Sequence, residues 1–279
     1  MTDLAVFTVA GLAAGWIVRL FVQPVLRLPL LARENYRGRT VATSAGIVVV
    51  LVALLVEAAR QVGASFEVGH RMTAARGLVL VAALGFGFLG LVDDLIGSGH
   101  ARGFRGHVAE LARGRLTTGG LKLVGGAAVG AIIAGAWGSM SPGRVLADAA
   151  LIALSANLAN QVDRRPGRVT KVGLVAFVAL AAAASNMDYI EGVAVVVGAS
   201  AALLVDDLRE RLMLGDVGAN VLGACLGTGV VLACPLGVRL GVLVVVALLN
   251  LVGELSSFTR LIDAVPPLRV LDRAGRRDP

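Results

Sequence analysis

Acidic side chains stand at the ends of three long apolar segments, next to arginine-rich polar stretches: Asp93 and Asp94, Asp163, and Asp216. An ionised carboxylate at a membrane boundary costs free energy unless a cation or a basic partner compensates it. Because this costly arrangement recurs at three separate segments, the sequence predicts one shared metal and phosphate site that faces one side of a bilayer.

The adjacent residues Asp93 and Asp94 follow an apolar run. Neighbours on a helix point about 100° apart, so one carboxylate can bind a cation while the other handles a proton or a second ligand. Their mutual repulsion requires a metal ion or an arginine to offset it. The alternative is a solvated helix end, and it stays open for an isolated pair of this kind.

Asn157, Asn160 and Asp163 are spaced three residues apart, which places the three polar side chains near one face of a helix. Asparagine offers donor and acceptor atoms that suit a base, a ribose or a sugar amide. The alternative is hydrogen bonding between membrane helices, which is common for asparagine.

Gly215 and Gly218 flank Asp216 at the start of another apolar segment. Glycine allows close approach of the backbone, and a helix N-terminus favours phosphate, so Asp216 is a candidate site residue. The competing interpretation is that Asp216 only caps the helix.

Basic residues stand beside these acids. Arg164, Arg165 and Arg168 form a cationic turn, and guanidinium groups match the geometry of phosphate oxygens. Lys122 stands just inside an apolar segment, from which it either reaches a phosphate or extends to the membrane surface. The competing interpretation of the three arginines is the ordinary positive charge of a cytoplasmic loop.

The elements that must position these residues are membrane helices. The chain is 57% hydrophobic and 16% charged, with a mean hydropathy of +0.82, which excludes an ordinary soluble domain. About 20 apolar residues cover the hydrocarbon core of a bilayer. We therefore predict an all-α polytopic membrane helix bundle that forms one domain over residues 1–279. The predicted spans are Leu4–Leu26, Val41–Ala59, Gly77–Val92, Leu121–Trp137, Val145–Val162, Val172–Ala184, Ile190–Val205, Val217–Ala233 and Leu240–Leu255.

Charge predicts how these spans are oriented. Alternation of the spans puts 20 of the 26 Lys and Arg residues on one side, together with the aspartates named above. The positive-inside rule assigns that side to the cytoplasm, with the N-terminus outside and the C-terminus inside. The net charge of +7 follows from this bias and suits anionic lipid and phosphate, not nucleic acid. Residues 256–279 are predicted to form a cytoplasmic tail or a surface helix.

The order and common sidedness of these motifs resemble those of the polyprenyl-phosphate N-acetylhexosamine-1-phosphate transferase superfamily, over most of the chain. Its members include the bacterial phospho-N-acetylmuramoyl-pentapeptide transferase and the GlcNAc-1-phosphate transferases that start lipid-linked glycans. The resemblance implies a ten-helix enzyme of the bacterial plasma membrane with a cytoplasmic site, whereas this sequence yields nine predicted spans. It implies transfer of a sugar-1-phosphate from a nucleotide sugar to polyprenyl phosphate, with Mg²⁺ as cofactor and Mn²⁺ as an alternative.

The resemblance also implies a role for each site residue. The metal would be bound by Asp216 and Asp94, and the attacking lipid phosphate would lie close to Asp93 and Asp94. The substrate contacts would come from Lys122, Asn157, Asn160, Asp163, Arg164, Arg165 and Arg168.

Several positions depart from the family pattern. Gly97 stands where the family has a lysine, for which Arg102 or Arg105 is the candidate substitute. Asp206 and Arg164 replace a typical asparagine and glycine, and the last cytoplasmic loop lacks a histidine cluster. We therefore expect a UDP-hexose or UDP-N-acetylhexosamine donor, UDP-GlcNAc first, and not the muramoyl-pentapeptide donor.

Two functions of other classes remain open. The chain is alternatively a non-catalytic protein that binds polyprenyl phosphate or scaffolds cell-envelope assembly. A transporter is disfavoured because the carboxylates lie at segment ends and not at the bilayer midplane, with Asp148 and Glu254 as unexplained exceptions. The predicted partners are the lipid phosphate, the nucleotide sugar and membrane lipids, and the oligomeric state is open, a homodimer included.

Overall fold

The computed structural model describes residues 2–97, 110, 113–114, 117–138 and 141–276. Helices dominate this part of the chain. They are α1 (Thr2–Leu26), α2 (Ile47–Ser65), α3 (Ala74–Ile96), α4 (Thr118–Ala136), α5 (Pro142–Val162), α6 (Arg168–Ala183), α7 (Glu191–Leu208), α8 (Gly215–Ala233), α9 (Leu236–Leu255), α10 (Phe258–Ala264) and α11 (Pro266–Arg273).

Eight helices of the described residues are long and apolar enough to cross a membrane: α1 to α5 and α7 to α9. This confirms the coarse prediction of a helical membrane bundle. The predicted sixth span, Val172–Ala184, corresponds to α6, which has only 16 residues. At a rise of about 1.5 Å per residue, a helix of that length falls short of the hydrocarbon core.

Helix α8 forms the centre of the bundle. In its most apolar window 89% of residues are buried, against 6% in α9 and 11% in α1. It packs against α3, α5 and α6, while α1 lies on α7 and α9 lies on α5. The perimeter helices therefore present their apolar side chains outward, as lipid contact requires.

A small β-hairpin precedes α2 and corrects one predicted boundary. Strands β1 (Ala32–Glu34) and β2 (Thr40–Ala42) pair antiparallel, and Gly38 turns the chain between them with φ +72°. Val41 was predicted to begin the second span but lies in β2, so α2 starts only at Ile47. The apolar Val-Ala pair belongs to a strand because the preceding turn reverses the chain.

Contacts between helix ends define two ends of the bundle. One end, called the site end, joins the ends of α3 and α5 to the starts of α4 and α8. The opposite end contains three ion pairs: Glu57–Arg76, Arg60–Glu191 and Asp148–Arg239. These pairs compensate buried charge, and one of them explains Asp148, which the sequence left unassigned.

The predicted distribution of charge agrees with these two ends. Arg27, Arg33, Lys122, Arg168 and Arg211 follow or begin helices at the site end. Arg102, Arg105, Arg115 and Arg277, which contribute to the predicted bias, lie outside the described residues. Which end faces the cytoplasm stays a prediction.

Candidate active site

Lys122 stands at the centre of the site end. The Thr117 hydroxyl accepts a hydrogen bond from the Gly120 amide at 3.0 Å and caps α4, which places Lys122 in its first turns. Lys122 Nζ lies 2.5 Å from Asp216 Oδ2 and 3.1 Å from Asp93 Oδ2. One ammonium group thus bridges carboxylates of α3 and α8, which are far apart in sequence.

Asp94 holds the start of α8. Its Oδ1 accepts from the Asp216 amide at 3.0 Å, and its Oδ2 accepts from the Val217 amide at 3.3 Å and the Ser44 hydroxyl at 2.8 Å. The first amides of a helix have no partner within the helix and carry partial positive charge, so a carboxylate there is stabilising. Asp94, which the resemblance assigns to the metal, therefore uses both oxygens to fix the position of Asp216.

Two glycines permit this close approach. A methyl group on Gly90 would lie 2.5 Å from the Asp216 carbonyl oxygen, so only glycine lets α3 come this near to α8. Gly215 has φ +70°, which favours glycine, and turns the chain into α8 beside Asp94 and Ser44. Because Asp94 is one helical turn beyond Gly90, the contact at Gly90 directs Asp94 onto the first amides of α8.

The structure separates the two predicted asparagines. Asn160 faces the cluster: with its amide oriented to satisfy both neighbours, its nitrogen donates to Asp216 Oδ1 at 2.8 Å and its oxygen accepts from Lys122 Nζ at 3.0 Å. Asn157 instead donates to Asn250 Oδ1 of α9 at 2.6 Å. Asn157 therefore makes the interhelical contact that was the competing interpretation, and its substrate role stays a prediction.

Asp163 adds a further carboxylate to the same region. Burial raises the pKa of the Asp163 carboxyl well above its ordinary value, and the carboxylates of Asp207, Asp216 and Asp94 raise it further. The opposing charge of Arg164 does not balance them. Asp163 therefore favours its neutral form, and a cation bound nearby would favour its ionised form.

The three arginines of the predicted cationic turn have different surroundings. Arg164 is exposed. The guanidinium carbon of Arg165 lies 4.3 Å from the centre of the Tyr36 ring in the hairpin. Arg168 is buried and pairs with Asp272 through two hydrogen bonds of 2.8 and 3.0 Å. Arg168 does not join the Lys122 cluster, and all three remain only predicted as substrate contacts.

Binding of a divalent cation at the site end depends on which carboxylate oxygens are available as ligands. In the part of the chain that the structure describes, no group of three or more His, Cys, Asp or Glu side chains is arranged to hold a metal ion. Mg²⁺, however, is often bound by one or two carboxylates together with substrate phosphates. Asp93 and Asp216 make their described contacts with side chains and fit that pattern, whereas the Asp94 oxygens are engaged by backbone amides and Ser44.

Sequence reasoning missed two residues of this site. Ser44 donates to Asp94, and the Arg33 guanidinium donates to the carbonyl oxygens of Asp94 and Leu95 at 3.0 and 3.2 Å. A Thr-Ser pair just before a helical apolar run signals the start of a helix near Ser44, but it carries no signal for the bond from Ser44 to Asp94. Arg33 carries no comparable local signal, because the fold of the hairpin alone brings it to α3.

Comparison of the chain with protein-family models and with curated proteins finds no match.

Proposed function

We propose that this protein transfers a sugar-1-phosphate from a nucleotide sugar to polyprenyl phosphate at the cytoplasmic face of a bacterial plasma membrane, and so starts a lipid-linked glycan. The observation that carries the proposal is Lys122, held between Asp93 and Asp216 at one end of a membrane bundle. A carboxylate pair with one ammonium group, at the ends of membrane-spanning helices, suits phosphoryl transfer.

The reaction joins two anions, so charge compensation is its main requirement. One oxygen of the lipid phosphate forms a bond to the phosphorus that carries the sugar. The bond from that phosphorus to the bridging oxygen breaks, and the nucleotide monophosphate leaves with that oxygen and its electron pair. Lys122 would offset charge on the phosphates, while Asn160 and Asp94 keep Lys122 and Asp216 in position.

Asp93 and Asp216 are the residues that would hold Mg²⁺. When bound, the ion would supply charge neutralisation between the carboxylates and the phosphates. With the cation and both phosphates in place, Lys122 would exchange part of its contact with the carboxylates for contact with phosphate.

The proposed donor is a simple UDP-sugar. Asp206, which stands in place of a family-typical asparagine, pairs with Arg19 and with Arg211, the latter at 3.1 Å. Asp206 therefore holds α1 and the end of α7 together. This use of Asp206 supports a donor-binding region that differs from that of the muramoyl-pentapeptide enzyme.

A non-catalytic protein that binds polyprenyl phosphate is the second candidate. It is favoured by one observation: among the described residues, no group of three or more His, Cys, Asp or Glu side chains is arranged to hold a metal ion. A binder needs only the basic side chains, however, and gains nothing from placing several carboxylates close together.

The test is transfer of radiolabel from a panel of UDP-sugars to undecaprenyl phosphate, with purified protein in detergent and Mg²⁺. We expect lipid-linked product that disappears when the metal is chelated. Asp216→Asn should lower turnover about 10²-fold or more, because it removes a charged oxygen ligand. The matched control is Asp188→Asn, the same change at an exposed position of the opposite end.

Wild-type turnover in Asp216→Asn across a Mg²⁺ titration would refute the metal assignment. Efficient transfer from the muramoyl-pentapeptide donor alone would overturn the donor and leave the reaction class intact. Binding of the lipid phosphate without transfer from any donor would favour the non-catalytic candidate.

A further inference from the structure

Helix α11 is attached to the bundle through one inward-facing charged residue, Asp272. Asp272 is the one buried residue of α11, and its carboxylate accepts two hydrogen bonds from the buried guanidinium of Arg168. Arg276 also donates to Asp272, at 2.5 Å, and to the Pro166 carbonyl oxygen at 3.0 Å. Lys171 completes the attachment by donating to the carbonyl oxygens of Leu271, Asp272 and Ala274 at the end of the helix.

The apolar side of α11 points away from the protein. Leu268, Val270 and Leu271 are 48%, 68% and 65% exposed. An amphipathic helix on the surface of a soluble protein buries its apolar side, because burial of that area stabilises docking. Here polar contacts hold the helix, and the apolar side has no cover within the described residues.

We propose that the apolar side of α11 inserts into the interfacial region of the bilayer at the site end, and that it prefers membranes with anionic headgroups. This inference does not depend on the proposed reaction. It assigns α11 two binding faces. The face with Asp272 binds α6, and the face with Leu268, Val270 and Leu271 binds lipid.

The tail that contains α11 continues from the lipid-facing perimeter of the bundle. This continuity supports the bilayer as the partner that covers the apolar side of α11. The tail follows α9, of which only 6% of the apolar window is buried. Leu251 and Leu255 at the end of α9 are exposed, and so are Leu261 and Val265 between α9 and α11. An apolar surface therefore runs from a membrane-spanning helix onto the tail.

Charge supports the preference for anionic headgroups. Arg260, Arg269 and Arg273 are exposed on the tail, and Asp263 is the acid that pairs with one of them, Arg273, at 3.4 Å. Arginines that flank the apolar side of an interfacial helix lie at the depth of lipid phosphates, where each contributes to binding of anionic lipid.

The test uses an environment-sensitive fluorophore on Leu271→Cys in a background where the buried Cys225 and Cys234 are replaced by alanine. The protein is reconstituted in nanodiscs of phosphatidylcholine, with or without phosphatidylglycerol, and doxyl-labelled lipids serve as quenchers. We expect a blue-shifted emission that doxyl lipids quench, and stronger quenching with phosphatidylglycerol. The matched control is Glu34→Cys, an exposed position in the hairpin, which should show weaker quenching.

A second variant separates insertion from simple proximity. Val270→Ser with Leu268→Ser removes apolar surface from exposed positions and should lose the blue shift without affecting folding of the bundle. The double substitution Arg269→Gln, Arg273→Gln should weaken the effect of phosphatidylglycerol and leave the blue shift in place, and an unchanged effect of phosphatidylglycerol would contradict the preference for anionic headgroups. Equal quenching at positions 271 and 34 would overturn the proposal. A blue shift that depends on protein concentration in detergent would also overturn it, because it would indicate that a second copy of the protein covers the apolar side of α11.

Discussion

At the scale of single residues, Lys122 determines how several carboxylates coexist at one end of the bundle. Its ammonium group touches Asp93, Asp216 and Asn160. A lysine between two acids in partly buried surroundings is held by both, so its removal leaves them repelling each other without compensation.

Lys122→Met keeps much of the side-chain length and removes the charge. We expect turnover to fall about 10²–10³-fold, the range for loss of one charged donor at a reacting phosphate or oxyanion. Arg144→Met, an exposed position at the opposite end, is the control and should turn over normally. Unchanged turnover of Lys122→Met with intact folding would exclude Lys122 from the reaction.

The Arg168–Asp272 pair makes attachment of α11 depend on pH in a defined direction. Burial opposes ionisation of Asp272, but the hydrogen bonds and charge of Arg168 and the charge of Arg276 outweigh it and lower the pKa below its ordinary value. A carboxyl whose pKa is lowered on docking stabilises the docked state above its undocked pKa, and that stabilisation is lost as the pH falls through the docked pKa.

A nitroxide on Ala274→Cys in detergent should therefore keep constant mobility from neutral pH down to about pH 4, the ordinary range of a carboxyl group. It should become mobile only below that pH. Adding Asp272→Asn should make the label mobile throughout. Release of the helix already between pH 7 and 6 would contradict the assignment to Asp272.

At the scale of elements, the site depends on how closely α3 approaches α8. Gly90 provides the contact, and Asp94 caps α8 one turn later. The carboxylate cluster is therefore a product of helix packing, and a change in the distance between these two helices moves every carboxylate relative to Lys122.

Gly90→Ala tests this dependence. The added methyl group would lie 2.5 Å from the Asp216 carbonyl oxygen and 2.7 Å from Val217 Cα, so the helices have to separate. We expect a loss of about 1–3 kcal/mol of stability and roughly a 10²-fold loss of turnover from misplacement. Thermal unfolding can be followed with a thiol-reactive dye, since Cys225 and Cys234 are buried until the chain unfolds.

Gly237→Ala is the control for this substitution. Gly237 lies in α9 with no atom near an added methyl group, so alanine should be neutral or slightly stabilising there. If both alanine variants behave alike in stability and turnover, the close approach at Gly90 does not position the site.

At the scale of the whole molecule, the two ends of the bundle predict a topology that labelling can test. A single cysteine at the exposed Glu34 marks the site end, and one at the exposed Val68 marks the opposite end. The positive-inside rule predicts that an impermeant thiol reagent added to intact cells labels Val68→Cys and not Glu34→Cys. The reverse result would place the site outside, where nucleotide sugars are not supplied.

Much of this arrangement follows from local sequence signals. Apolar runs predicted the helical membrane bundle, and acids and a lysine at the ends of those runs came together as Asp93, Asp216 and Lys122. Such residues are predictable because successive membrane spans run in opposite directions. The end of one span and the start of the next therefore lie on the same side of the membrane. The partners of Asp94 and Arg168 were not predictable, because Ser44 and Asp272 reach them through a hairpin turn and a tail that only tertiary structure positions.

The burial of α8 has a consequence for the order in which the protein is made. Protein and not lipid surrounds this helix, since 89% of its most apolar window is buried. The ribosome synthesises Asp93, Lys122 and Asn160 before Asp216, so in the nascent chain they reach the membrane without their common partner. Helix α8 therefore arrives after α3, α4 and α5, and the charged cluster closes only once Asp216 has been inserted among them.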